Sequence, residues 1–147
     1  MIKDFIVSLT AACLCIYNDV PSEQSSVTIE ITGFKNNNGH VLVSIFNNEG
    51  DFPDNAQKAA GKAQAKISGG VAVVNFKNLK PGKYAAAVLH DANDNLEMDF
   101  NIVGMPKEGY GFSNNAKGLF GPPSFSKAAF EIDKGIKNIK IKVNYLL

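Results

Sequence analysis

The residues best equipped for chemistry fall in one stretch, His90-Asp91-Ala92-Asn93-Asp94-Asn95-Leu96-Glu97-Met98-Asp99. Asp91, Asn93 and Asn95 recur at every second position and Asp99 follows, which supplies hard oxygen ligands of the kind Ca2+ takes. These four are the candidate metal ligands, and Ca2+ is the one cofactor the pattern suggests. A helical EF-hand is excluded, because Leu96 stands where that loop needs glycine and Ile102 where it needs the bidentate glutamate. The competing reading is an Asx-rich turn whose side chains hydrogen-bond their own backbone.

A second group follows in Glu108-Gly109-Tyr110-Gly111-Phe112-Ser113-Asn114-Asn115 and in Gly118 to Phe125. Tyr110, Phe112, Phe120 and Phe125 can line a shallow aromatic groove, such as a carbohydrate platform, with Glu108, Asn114 and Asn115 supplying hydrogen bonds. The alternative is that these aromatics anchor a glycine-rich loop and that the asparagines satisfy its backbone. His90, Glu108, Tyr110, Phe112, Ser113 and Asn114 are accordingly the candidate ligand-binding residues.

Catalysis finds little support. Ser113, Ser124, His90 and Asp91 are formally a nucleophile, base and acid, but His90 and Asp91 are adjacent and point to opposite faces if both extend one strand. Glu108 with Asp99 or Glu97 can be drawn as a glycosidase pair, yet two carboxylates in one polar loop are commonplace. No catalytic residue is assigned, and the expectation is a non-enzymatic protein, with a hydrolase as the remote alternative. His40 reads as a surface residue opening a strand.

The elements that must position these groups are strands. Val27, Ile29 and Ile31 alternate with Thr28, Glu30 and Thr32, and Val41, Val43 and Ile45 repeat the pattern after Asn36-Asn37-Asn38-Gly39, a tight-turn sequence that predicts a hairpin. Lys62 to Ile67 and Val71 to Phe76, joined by Ser68-Gly69-Gly70, predict a second. Asn47 to Ala60 reads as a longer connection. Leu79-Lys80-Pro81-Gly82-Lys83-Tyr84 is a turn leading into a strand of small residues, Tyr84 to Leu89. About thirty-five residues without a clear strand come next, long for a compact domain and usually functional when ordered. Ala128 to Ile132 and a last run placing Ile139, Ile141, Val143 and Tyr145 inward complete the count. The fold class is therefore all-β: a seven-stranded antiparallel β-sandwich, immunoglobulin-like or prealbumin-like, with a long polar loop between strands five and six.

The 147 residues fit one domain. Net charge is +1, and all 15 basic residues are lysines, so bidentate arginine contacts to phosphate or guanine are absent and no nucleic-acid partner is expected. Lys140 and Lys142 alternate with Ile139, Ile141 and Val143 as the wet face of a strand does. Lys3 precedes an apolar run from Phe5 to Tyr17 that is too short for a comfortable membrane span, and a polar exit containing Pro21 follows. Residues 1–24 thus read as a signal peptide, or as a lipoprotein signal in which Cys13 of Thr10-Ala11-Ala12-Cys13 is lipidated, and residues 25–147 as the single domain. Both cysteines, Cys13 and Cys15, lie in the leader, so a cleaved domain has no cysteine chemistry beyond that anchor. Cleavage removes one lysine and three acids, leaving 14 lysines against 11 acids. The expected location is exported: periplasmic, outer-envelope or secreted, with membrane contact only through the leader or the lipid anchor.

From about Val27 onward the chain resembles a bacterial exported family known as domain of unknown function 2141. The residues that carry the resemblance are Gly33 and the Asn-Gly turn before Val41, Leu79-x-Pro81-Gly82-x-Tyr84, His90-Asp91-x-Asn93-x-Asn95-x-x-x-Asp99, Gly104-x-Pro106-x-Glu108-Gly109-Tyr110-Gly111-Phe112-Ser113-Asn114, and Gly121-Pro122-Pro123-Ser124-Phe125. Leu96 departs from the glycine often found there. The resemblance implies export and a sandwich similar to prealbumin-like or carboxypeptidase-regulatory-like domains, and no activity. The expected function is a ligand- or cation-binding module of the cell envelope, its ligand a glycan or a protein. The alternative is a structural or adhesive envelope protein whose polar loop only stabilises the fold.

Overall fold

The structure, a computed structural model, describes residues 25–146. The expected leader, with Cys13, lies outside the described residues.

The alternating segments form two packed sheets. β1 (Ser25–Thr32) lies between β4 (Ala72–Leu79), antiparallel to it, and β8 (Ile136–Lys142), parallel to it. The second sheet runs β3 (Gly61–Lys66), β2 (His40–Phe46), β5 (Gly82–Asp91), β6 (Gly109–Phe112), and β7 (Phe130–Ile132) pairs with the opening residues of β5. The helical elements among the described residues are the single turn α1 (Phe125–Ala128) and 3-10 turns at Ala56–Lys58 and Ser113–Asn115.

Each strand buries its apolar alternate against the opposite sheet. Val27, Ile29 and Ile31 meet Val41, Val43 and Ile45 in one core that also holds Val74, Phe76, Tyr84, Ala86, Val88, Ile141 and Val143. Burial of each larger side chain is worth roughly 1.5–3 kcal/mol. β5 is alanine-rich because both its faces are covered: Ala86 and Val88 face the main core, while Ala85 joins Phe112 and Ala128 in a smaller cluster that Phe52 and Phe125 complete.

The sandwich is as the alternation implies, with differences in count and pairing. The described residues form eight strands rather than the expected seven, because Gly109–Phe112 forms β6 inside the stretch expected to be one loop. Its glycines hid the period. A Cβ on Gly109 would meet the Tyr145 ring and Val143 at 2.5 Å, and one on Gly111 the Lys142 carbonyl at 2.8 Å, so this strand must lack side chains to lie against the end of β8. Neither expected hairpin forms, since β1 and β2, and likewise β3 and β4, belong to different sheets. The β1–β8 pairing also makes the first sheet mixed rather than wholly antiparallel.

The pairings give the sandwich two distinct ends. Thr32, His40, Asp91, Gly109 and Lys142 gather at one, while Ser25 pairs Leu79 and Ser26 pairs Ile136 at the other. The eight-residue β1 separates these ends by about 25 Å.

Candidate functional site

Strand β5 delivers His90 and Asp91 to the loop-bearing end, and their adjacency sends them to opposite faces. His90 turns inward, fully buried. Its Nε2 donates to the Asn38 carbonyl at 2.8 Å, and its Nδ1 shares a hydrogen bond of 2.6 Å with the Tyr145 hydroxyl. Tyr145 in turn accepts the Lys35 backbone N–H at 3.1 Å, and Phe34 packs edge-on to the imidazole, centroids 5.2 Å apart. Burial raises the Tyr145 pKa, and the Lys35 N–H partly lowers it. Both imidazole nitrogens are thus used in tying the 33–39 connection and the C-terminal segment to β5.

Asp91 turns outward beneath the loop and is also fully buried. Its Oδ1 accepts the Asn95 N–H at 3.1 Å and its Oδ2 the Leu96 N–H at 2.8 Å. Glu108, at the far end of the loop, accepts the Ala92 N–H through Oε1 at 3.1 Å and the Asp99 N–H through Oε2 at 3.3 Å. Burial pushes the Glu108 carboxyl up, the two N–H groups pull it down, and the charges of Asp99 and Asp91 push it up further. Two buried carboxylates therefore hold the base of the 92–108 loop through four backbone N–H groups. Asn93 and Asn95 fold their side-chain oxygens back to the N–H groups of Asn95 and Glu97, and both amides reach Asp99, at 2.7 and 3.2 Å. Asp94 departs to His40, Oδ1 to Nδ1 2.6 Å. The Asx-turn bonds are all present. Among the described residues no group of three or more His, Cys, Asp or Glu side chains is disposed to hold a metal ion.

The second candidate group is structural in its contacts. Ser113 is buried, accepts the Ala86 N–H at 2.9 Å and donates to the Ala128 carbonyl. Asn114 and Asn115 take positive φ, and their side chains bond the Lys127 and Ala129 carbonyls and the Lys142 N–H. The serine, histidine and acid do not assemble, because each is bonded elsewhere. Tyr110, Phe112 and Phe125 do converge, but edge-to-face about Phe52 at 5.8–5.9 Å along the chain of rings, while Phe120 stands apart, fully exposed.

The feature absent from the sequence reading is the outer part of the β5–β6 loop. Leu96, Phe100, Ile102, Val103 and Met105 are all exposed, Ile102 completely. Leu96 also holds φ +67°, a conformation that disfavours a bulky side chain, without any burial to compensate it. A signal was present: six apolar residues in the ten positions from Leu96 to Met105, the first four alternating with Glu97, Asp99 and Asn101, between two carboxylates that the loop ends require. They cannot all enter one core.

The family described as uncharacterized protein conserved in bacteria (DUF2141) matches residues 29–140. No curated protein matches the chain. Among solved structures, the chain is similar to a pilus-presented adhesin at 12% identity and a TM-score of 0.28, over 86% of this chain and 28% of the adhesin's length.

Proposed function

We propose, from the premise that the chain belongs to the DUF2141 family of uncharacterized bacterial proteins, that it is a non-enzymatic binding module of the cell envelope whose working element is the β5–β6 loop. One observation carries this reading: the loop is braced from within and exposes five large apolar side chains. Its base uses Asp91 and Glu108 entirely on backbone N–H groups, whereas Leu96 (65% exposed), Phe100 (57%), Ile102 (104%), Val103 (72%) and Met105 (37%) face outward. Clustered exposed apolar side chains mark interaction sites, and strained backbone persists where function retains it. The leader-like segment 1–24 supports export. The chain enters β1 at the end opposite the loop, so the loop points away from any anchor at the leader.

The test compares the intact chain with a Phe100→Ser, Ile102→Ser, Val103→Ser variant for retention on isolated envelope fragments. Lost retention with an unchanged melting temperature is the expected outcome. The structural alternative demands the reverse, unchanged retention with a lowered melting temperature, and that result would overturn the proposal.

A second reading, a Ca2+ site at Asp91, Asn93, Asn95 and Asp99, rests on the spacing of these four oxygen-bearing side chains, which are turned here to backbone N–H groups and to one another. Under it, excess Ca2+ raises the unfolding midpoint relative to chelator, by about 2.7 kcal/mol of stability at a hundred times the dissociation constant. Asp99→Ala, which removes a side chain that accepts no backbone bond here, abolishes the rise. A midpoint indifferent to Ca2+ leaves the Asx turns as the whole purpose of these residues.

A further inference from the structure

The connection before β2 carries chemistry of its own, independent of the apolar loop. We propose that the Asn38–Gly39 peptide is a self-modification site, at which the Gly39 nitrogen displaces the Asn38 side-chain amide with assistance from the buried His90.

Asn38 is exposed, and its side chain makes no hydrogen bond among the described residues. Its neighbours are committed: the Asn36 Oδ1 accepts the Asn38 N–H at 2.9 Å, and the Asn37 Oδ1 accepts the Gly70 N–H at 3.1 Å. The Gly39 N–H donates to no described residue. Asn38 is also the one asparagine in the sequence that glycine follows. The fold requires that glycine, since Gly39 holds φ +64° and a Cβ there would collide with the Asp91 carbonyl. An unbound amide and an unshielded backbone nitrogen therefore stand side by side.

The peptide group that attacks is the one His90 holds. Attack requires the Gly39 nitrogen to give up its proton, and the resulting negative charge spreads onto the Asn38 carbonyl oxygen of the same peptide group. His90, 1% exposed, aims its Nε2–H at that oxygen from 2.8 Å. A fixed donor directed at the atom where charge develops lowers the barrier without reorganising at the moment of reaction. Tyr145 at Nδ1 and the edge-on Phe34 ring keep the imidazole in that aim.

Water is the only other reagent. The Gly39 nitrogen bonds the Asn38 Cγ to close a succinimide, and the side-chain NH2 leaves as ammonia with the proton that Gly39 gave up. Water then opens the ring at either carbonyl. Opening at Cγ leaves an aspartate, whereas opening at the original Asn38 carbonyl reroutes the chain through the side chain as isoaspartate. In isoaspartate the oxygen facing His90 belongs to a free carboxylate, so the neutral bond from Nε2 becomes charge-assisted and the connection gains a methylene.

The test holds the intact, folded chain in mildly alkaline buffer beside a free peptide of residues 33–43, with both sampled by mass spectrometry after proteolytic mapping. Conversion at Asn38 is expected to run about tenfold or more faster in the folded chain than in the peptide, with isoaspartate among the products. His90→Phe removes the donor and is expected to bring the rate down to the peptide's or below. Tyr145→Phe loosens the same connection but keeps the Nε2 donor, and is expected to retain the fast rate. Folded-chain conversion no faster than the peptide's overturns the proposal, a result that needs no variant to fold. Acceleration by His90→Phe overturns it as well, because loosened backbone rather than the imidazole would then be the cause.

Discussion

At the scale of single residues, the buried polar groups of the loop-bearing end serve as fasteners, and their removal has calculable consequences. Tyr145→Phe leaves the His90 Nδ1 and the Lys35 N–H without their shared partner, so urea unfolding of that variant is expected to show a loss of about 1–3 kcal/mol. Glu108 adds a pH signature. Its pKa is raised, chiefly by burial, so the folded chain holds this proton more tightly than the unfolded chain does. The stability it contributes is then fully present below the unfolded value near 4.5 and is lost as pH rises through the folded value. Melting midpoints recorded from acid to neutral pH should therefore fall for the native protein relative to Glu108→Gln, even though the variant is less stable by one orphaned backbone N–H. Leu96 is the opposite case: relieving its positive φ by Leu96→Gly is expected to stabilise the fold by about 1 kcal/mol while weakening retention at the tip. A simultaneous loss of stability would mean that the exposed leucine has a packing role.

At the scale of elements, β6 decides how the sandwich closes. It is four residues long, pairs only with β5 in its sheet, and reaches the end of β8 through the Tyr110–Asn144 bridge. Gly109 and Gly111 allow that approach, so Gly109→Ala drives a methyl into the Tyr145 ring and Val143. Equilibrium unfolding should register about 1–3 kcal/mol of overpacking. Gly50→Ala, whose new Cβ meets only the Asn48 side chain at 3.4 Å, serves as the comparison and should stay within about 0.5 kcal/mol. Equal effects at the two glycines would remove the account of why β6 is glycine-rich.

At the scale of the molecule, the first and last strands hold each other. β1 sits between β4 and β8 with Val27, Ile29 and Ile31 fully buried, and its parallel ladder with β8 ties the two ends of the described chain together. Truncation after Gly135 strips one side of this central strand and uncovers Ile29 and Ile31. Far-UV circular dichroism and sedimentation are expected to show loss of cooperative unfolding and aggregation, since an unpaired apolar strand edge is a template for further pairing. The same arrangement places the point of entry at Ser25 and the loop tip at opposite ends, which is what presenting the tip outward requires.

The residues themselves fixed much of this. A period of two over Val27–Ile31, Val41–Ile45, Phe130–Ile132 and Ile139–Val143 sorts inward from outward side chains and hence specifies a sandwich, although Ala128, which continues the period, lies in the turn α1. The adjacency of His90 and Asp91 likewise dictates opposite faces. Period alone does not name a partner, however, and the pairings of β1 with β4 and β8, across the whole chain, arise only when both sheets close over one core. β6 was hidden for a related reason: glycines carry no pattern, and their necessity exists only in the approach of Tyr145, Val143 and Lys142. The loop shows the same division. Its oxygen-bearing side chains were legible as an Asx-rich run, but tertiary packing buried Asp91 and Glu108 against backbone N–H groups and, by filling the core elsewhere, left Phe100, Ile102 and Val103 with no interior to enter.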